Sequence, residues 1–238
     1  MQLIGILAID MATNRALRRQ FILAFVLASI ASTGLFFYGA WLDGSFKYNY
    51  LLWNLFLAYL PLVFAIWLLR ILERKLWSSW EALLATAAWL LFLPNSFYMI
   101  SDFVHLQEVP AKNALYDTLL LTSFIYTAVV LGFSSLYLVH LRLKQRVSPR
   151  TAAVMIAVIL FLCSFAIYIG RDLRWNSWDV VTNPGGLLFD VSDRLMSLSS
   201  YPQMLLITVG FFVLLTSMYG LVWRGSQLLQ SFGRHDLL

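Results

Sequence analysis

The chain has 238 residues, of which 61% are hydrophobic and only 12% are charged, with a mean hydropathy of +0.76. Soluble globular domains average about 45–50% apolar and about 25% charged residues, so this composition excludes an ordinary soluble protein and indicates a polytopic membrane protein. We attribute the net charge of +5 to basic loops that lie beside anionic lipid on the cytoplasmic side of the membrane. We therefore expect membrane lipid as a partner and no nucleic-acid partner.

Six runs of about 20 mostly apolar residues are long enough to cross a bilayer as helices. They cover about residues 21–41, 50–70, 80–100, 115–141, 151–170 and 203–223. We therefore predict an all-α fold of six transmembrane helices that forms a single integral-membrane domain over residues 1–238. The apolar run at 3–9 is too short to span, and we expect translation to begin at Met11.

The basic residues predict the orientation of these helices. Of the 17 Lys and Arg residues, 12 lie at the two termini and in the second and fourth connections, and 5 lie in the other three connections. Because positively charged residues remain cytoplasmic, both termini are predicted to be inside and three loops outside.

The third span ends in a stretch of polar residues that begins at Pro94. Proline lacks an N–H and clashes with the preceding turn, so we expect a kink there or a new helix with Asn95 in its first turn. If the backbone stays helical, spacings of three, four and three place a set of four side chains on one face. The set is Asn95, Tyr98, Asp102 and His105.

The fourth span carries a stripe of polar side chains along one helix face. The stripe comprises Tyr116, Ser123, Thr127 and Ser134. In lipid such residues usually mark helix contacts, and the alternative is a lined pathway.

The fifth span leads into a second polar stretch, residues 168–179. On a continuing helix, one face would carry Tyr168, Asp172, Trp175 and Asp179, and the adjoining face would carry Arg171, Arg174 and Trp178. A turn is predicted at residues 183–186, followed by a short amphipathic helix at about 187–199 in the outer membrane interface.

Both polar stretches end a span on the same side, so we predict that they meet in one outer-facing pocket. It would contain Asn95, Tyr98, Asp102, His105, Asp117, Arg171, Asp172, Arg174, Trp175 and Asp179. Three roles are open for this set: a divalent cation site, a His–Asp base with arginines that hold an anion, or ion pairs that lock helices together.

The enzymatic version assigns His105 as the base and Asp102 as the group that orients it. Asn95, Tyr98, Asp117 and Trp175 would contact the ligand, together with Arg171 and Arg174, which would bind an anionic group. Asp172 and Asp179 are the candidate metal ligands, and an oxygen-rich set suits magnesium, calcium or manganese better than structural zinc. Apart from that divalent cation, no cofactor is indicated.

Familiar catalytic motifs are missing from the sequence. It has no Gly-rich phosphate loop, HExxH, GxSxG or CxxC, and its one cysteine, Cys163, lies inside an apolar span. Nucleotide-driven and serine-hydrolase machinery are therefore disfavoured.

The segment from Leu93-Pro94-Asn95 to Leu106, then Tyr116-Asp117 and Gly170-Arg171 to Asp179, resembles the bacterial membrane proteins grouped as domain-of-unknown-function family 1361. The resemblance covers about residues 80–190 and implies a polytopic inner-membrane protein, without a reaction or partner. Our leading hypothesis is a pocket for a small anionic ligand or lipid head group. The alternatives are a transporter or channel component, and a structural or assembly subunit.

Overall fold

The structure is a computed structural model that describes residues 15–108 and 113–235 of the chain. Over these residues there is no strand, and six helices are long and apolar enough to cross a membrane. The predicted all-α fold with six spans is therefore confirmed, and the chain is a multi-pass membrane protein. The predicted start at Met11 lies outside the described residues.

The chain divides into two compact units, Met1–Val147 and Ser148–Leu238, which are described in turn. The described residues of the first unit form α1 (Arg15–Asp43), α2 (Tyr50–Leu72), α3 (Trp80–Tyr98), a 3-10 segment (Met99–Glu108) and α4 (Ala114–Leu143). α4 packs against the three other helices and the 3-10 segment, so it is the central helix of this unit. The prediction of one domain over the whole chain stays a prediction.

Small residues bring α2, α3 and α4 into close contact. The Ser96 hydroxyl of α3 donates to the Ala58 carbonyl of α2 at 3.1 Å. A Cβ atom added at Gly132 of α4 would lie only 2.6 Å from the Ser96 Cβ. Without a hydrophobic force between helices in lipid, such close backbone approach supplies the packing energy. The glycine is therefore required where the three helices meet.

Polar groups satisfy the helix ends on one side of the first unit. Ser79 caps α3, because its side chain accepts from the Ala82 N–H at 3.4 Å. The Arg142 guanidinium of α4 donates to the Leu72 carbonyl, which is one of the last carbonyls of α2 and has no partner within the helix. Arg142, in the last turn of α4, therefore joins α4 to the end of α2 through a backbone carbonyl.

At Pro94 the expected new helix is absent, and the expected kink stays a prediction. α3 continues through Pro94 to Tyr98, so no new helix begins at Asn95, and the backbone then tightens into the 3-10 segment Met99–Glu108. The Asn95 amide donates to the Phe92 carbonyl at 3.1 Å, two residues after Leu90, whose carbonyl loses its usual donor at Pro94. The predicted four-residue face does not persist, because a 3-10 helix repeats every three residues.

The described residues of the second unit form α5 (Pro149–Asp172), the single turn α6 (Asp179–Thr182), α7 (Pro184–Met196), a 3-10 turn (Leu198–Ser200) and α8 (Pro202–His235). α5 packs against α8, with the rings of Phe161 and Phe212 in edge-to-face contact at 5.7 Å between centroids. Ser148 caps α5 by accepting from the Thr151 N–H at 3.1 Å, and Pro149 occupies the first turn.

The helical continuation considered for residues 168–179 does not form. α5 ends at Asp172, and Arg174 adopts a left-handed conformation with φ 60°. This conformation reverses the chain as a helix C-cap does, and it usually belongs to glycine. Trp175 and Asp179 therefore do not extend the face that carries Tyr168 and Asp172.

The short helix predicted at about 187–199 is present but begins earlier, as α7 from Pro184 to Met196. The Asn183 side chain accepts from the Gly186 N–H at 3.2 Å, and proline is favourable in a first helical turn. Residues 183–186, predicted as a turn, thus form the start of this helix. Its position in the membrane interface stays a prediction.

Candidate polar pocket of the first unit

A buried carboxylate lies where α4 begins. Asp117 is in the first turn of α4 and is 6% exposed. The Tyr48 hydroxyl, from the loop before α2, donates to Asp117 Oδ2 at 2.8 Å, and Tyr48 is itself buried. The helix N-terminus favours a negative charge at this position. The bond therefore links two segments that are 69 residues apart.

The neighbouring residue, Tyr116, attaches α4 to α1. Its hydroxyl donates to the Leu35 carbonyl of α1. A Cβ atom at Gly39 would lie 2.7 Å from the Tyr116 ring, so only glycine admits the ring there. This contact supports the interpretation of the α4 stripe as a helix contact at its Tyr116 end.

These contacts form one side of a small pocket between the end of α1, the following loop and the start of α4. Its empty volume, which includes space open to solvent, is about 280 Å³. The polar lining consists of Asp43, Ser45, Lys47, Tyr48, Tyr116 and Asp117, and the apolar lining consists of Phe36, Gly39, Ala40 and Leu120.

The pocket has a buried floor and an exposed rim. Asp117 and Tyr48 are buried, whereas Asp43, Ser45 and Lys47 are exposed. The Lys47 Nζ atom lies 4.9 Å from the centre of the Tyr48 ring, which is within the range of a cation–π contact. Tyr48 thus contacts both Lys47 at the rim and the protected carboxylate of Asp117.

A second set of polar side chains in the first unit lies on and beside the 3-10 segment. Asp102 is 1% exposed. The Asn54 side-chain amide of α2 donates a hydrogen bond to Asp102 Oδ2 at 3.4 Å. The His105 ring is 5.3 Å from the Tyr50 ring, measured between centroids. In a 3-10 helix, residues three apart eclipse, so Asp102 and His105 share one face. Their acid–base role stays a prediction.

Asn95 and Tyr98 lie just before this segment and are half-buried. Asn95 binds the Phe92 carbonyl, and the Tyr98 carbonyl accepts from the Ser101 hydroxyl at 2.6 Å. These hydrogen bonds stabilise the backbone where the α-helix changes into the 3-10 helix. Their predicted ligand-binding role is not tested.

In the second unit, the predicted site residues have local partners. The Trp175 indole N–H donates to Asp190 Oδ2 of α7 at 2.8 Å. Asp172 is hydrogen-bonded to Tyr168 one turn earlier. Asp179 accepts from the Asn176 N–H at 2.7 Å and from the Thr182 hydroxyl at 3.2 Å, so it caps the single turn α6.

No group of three or more His, Cys, Asp or Glu side chains within the described residues is arranged to hold a metal ion. The metal-ligand role suggested for Asp172 and Asp179 therefore has no geometric support among these residues. Arg171 is half-buried at the end of α5, and Arg174 is exposed beyond it. These residues belong to the second unit, and the pocket predicted from both polar stretches stays a prediction.

Of the polar lining residues, only Asp117 was among the predicted site residues, and Tyr116 was predicted only in the α4 stripe. The sequence analysis assigned no site role to Asp43, Ser45, Lys47 or Tyr48. The sequence places them in a short polar turn and an aromatic belt, which are ordinary features of a membrane boundary. Only the fold brings this turn to the start of α4. The polar Tyr116-Asp117 pair was the one signal at this end of α4.

The family model described as a protein of unknown function, DUF1361, matches residues 53–218. The chain belongs to the DUF1361 family. This match includes α2 to α4 and most of the second unit, so the DUF1361 region contributes Tyr116 and Asp117 to the pocket, while Asp43, Lys47 and Tyr48 precede it. No curated protein and no solved structure matches the chain.

Proposed function

We propose that this DUF1361 protein binds a lipid head group, or another small anionic group, in the pocket between α1 and α4. The observation that carries the proposal is a pocket at the ends of membrane-spanning helices with the Lys47 ammonium group at its exposed rim. Lys47 at the rim is the group that would attract a phosphate.

The surface of α1 beside the pocket suits a lipid ligand. Large apolar side chains near the end of α1 are strongly exposed, with Trp41 at 76% and Phe37 at 54%. Tyr38 and Trp41 lie side by side, 6.1 Å between ring centroids, as aromatic residues do at the membrane interface. Acyl chains lying along this apolar surface would bring their head group to Lys47.

The proposal includes an orientation. The basic residues favour both termini on the cytoplasmic side of a bacterial inner membrane, which puts the connection between α1 and α2 on the outside. The pocket would then take ligands from the non-cytoplasmic leaflet.

A second, structural role is favoured for the polar groups of the second unit. Trp175 binds Asp190 across the α5–α7 connection, and the Arg194 guanidinium lies 3.7 Å from the centre of the Tyr201 ring. These contacts use carboxylates and an arginine to fix the chain between two spans. In this role these contacts stabilise the fold of the second unit.

The test is lipid retention, measured by native mass spectrometry on delipidated protein with added phospholipid. We expect Lys47→Ala to lower the retained lipid up to several-fold, because a charge contact at an exposed lysine is worth about 0.2–1 kcal/mol. Lys75→Ala is the matched control, because Lys75 pairs with Glu81 away from the pocket. Equal retention by both variants would refute the proposal.

A further inference from the structure

The pocket as a whole has the wrong net charge for a purely anionic ligand. Its lining carries two carboxylates, Asp43 and Asp117, against one ammonium group, Lys47, which leaves one unit of net negative charge. A phosphate could contact Lys47 at the rim, but any anion that went deeper would meet Asp117. The part of a ligand that reaches the floor must therefore be neutral or positive.

Asp117 also needs a cation. The residue is 6% exposed, and among the described residues it forms no ion pair with a lysine or arginine. The Tyr48 hydroxyl supplies one neutral hydrogen bond. Burying a carboxylate costs several kcal/mol unless a cation or sufficient donors offset the loss of water. A positively charged group in the pocket would supply what the described side chains do not.

The lining favours a primary ammonium over a quaternary one. A primary ammonium has three N–H donors, and the pocket offers acceptors on Asp43, Asp117 and Ser45. A quaternary ammonium has no donor and is usually held by free aromatic faces. Here those faces are engaged, because Lys47 approaches the ring of Tyr48 and Gly39 lies against the ring of Tyr116.

The pocket is also small. Its empty volume of about 280 Å³ includes space open to solvent, so the enclosed part is much smaller. A primary ammonium group is close to a water molecule in size, whereas a trimethylammonium group needs more room than this space offers.

We propose that the pocket recognises the primary ammonium group of an amine-bearing phosphate ester, with phosphoethanolamine as the simplest form. The ammonium lies between Asp117 and Asp43, and the phosphate contacts Lys47 at the rim. This inference rests on the proposed function, since it names the class of head group that the pocket takes. The same chemistry occurs in a phosphatidylethanolamine lipid and in free O-phosphoethanolamine.

The experiment compares three phospholipids with identical acyl chains by native mass spectrometry of the delipidated protein. The probes are phosphatidylethanolamine, phosphatidylcholine and phosphatidylglycerol. We expect retention of phosphatidylethanolamine to exceed that of the other two about tenfold or more, as one charge-assisted hydrogen bond implies. O-phosphoethanolamine added in excess tests the soluble source, and displacement of bound lipid by it would identify that source.

Two variants separate this inference from the broader proposal. Asp117→Asn keeps the shape and an acceptor for Tyr48, and we expect it to abolish the preference for phosphatidylethanolamine over phosphatidylglycerol. Lys47→Ala should lower retention of all three lipids. If Lys47→Ala acts but wild type shows no preference for the amine, the inference is wrong and lipid binding stands. If neither variant changes retention, both are wrong. Thermal unfolding checks that each variant is folded.

Discussion

The Tyr48 hydroxyl lies 2.8 Å from Asp117 Oδ2 and joins the loop before α2 to the first turn of α4. Tyr48→Phe removes this donor and leaves a buried carboxylate with its lost hydration uncompensated on that side. We expect the free energy of unfolding to fall by about 1–3 kcal/mol, measured by thermal unfolding in detergent. Tyr38→Phe, at a ring that is 53% exposed, is the control and should be neutral. Equal stability of the two variants would contradict this account.

Gly132 lies where three helices of the first unit meet. In Gly132→Ala the new Cβ would lie 2.6 Å from the Ser96 Cβ and 2.9 Å from the Phe97 ring, so backbone or side chains must shift. We expect a loss of about 1–3 kcal/mol, as overpacking usually costs. Gly34→Ala has no atom within 4 Å of the new Cβ and should be neutral or slightly stabilising. If both variants lost stability, the cause would be the replacement of a glycine in a helix and not the close packing at Gly132.

Arg174 holds a backbone conformation that L-residues with a Cβ adopt at a cost. Arg174→Gly removes that cost, and we expect the midpoint of thermal unfolding to rise, corresponding to about 1 kcal/mol. Arg174→Ala removes the same side chain but keeps the Cβ, so it should show no such gain. A gain in the alanine variant instead would mean that the arginine side chain, and not the backbone, is the source of strain.

The connection between α7 and α8 carries a tyrosine whose ionisation the structure controls. The Tyr201 hydroxyl donates to Asp193 Oδ2 at 3.0 Å, and this bond raises the pKa of Tyr201, while the nearby Arg194 acts in the opposite direction. Because the folded-state pKa is above the ordinary value of about 10, the associated stability is present below that pH and is lost as the pH rises through the folded-state pKa.

The measurement is an ultraviolet titration of phenolate, taken as the difference between wild type and Tyr201→Phe. We expect Asp193→Asn to lower the midpoint of the Tyr201 titration, since the amide lacks the negative charge that opposes ionisation. An unchanged midpoint would show that the hydrogen bond does not persist in solution. Asp190→Asn, which alters the partner of Trp175, is the matched control.

The orientation can be tested with single cysteines. Cys163 is buried in α5, so a membrane-impermeant thiol reagent should leave the wild-type chain unlabelled. We expect a cysteine at Asp190 to be labelled from outside intact cells and a cysteine at Arg146 to be labelled only after the membrane is opened. External labelling at Arg146 would reverse the topology and place the pocket in the cytoplasmic leaflet.

The spans were predictable because lipid imposes one strong requirement, namely about 20 apolar residues whose backbone groups are all satisfied within the helix. Asp117 was predictable as a polar residue at a span end. Its partner Tyr48 was not, since nothing local in the sequence records a contact between residues that are 69 positions apart. The pocket depends on that contact and on Gly39, which resembles any other small residue in a span.

The two polar stretches show a different limit. Both were interpreted with α-helical spacing, which requires that the backbone continue unchanged. After Tyr98 the helix tightens, and after Asp172 it stops, with Arg174 in a left-handed conformation. Hydropathy does not report such changes, because they follow from the hydrogen bonds made by a few side chains and from packing against neighbouring helices.

The tightened segment Met99–Glu108 gives the chain a way to adjust depth without changing direction. With three residues per turn and a rise of about 2 Å per residue, Met99, Asp102 and His105 stand above one another in a column. Insertion or deletion of three residues would move the His105 imidazole by about 6 Å along the axis and leave it on the same side. An α-helix would rotate it by about 60° for the same change. A change in length of three residues would therefore set this imidazole at another depth along the axis, with new neighbours, while keeping it on the same side of the segment.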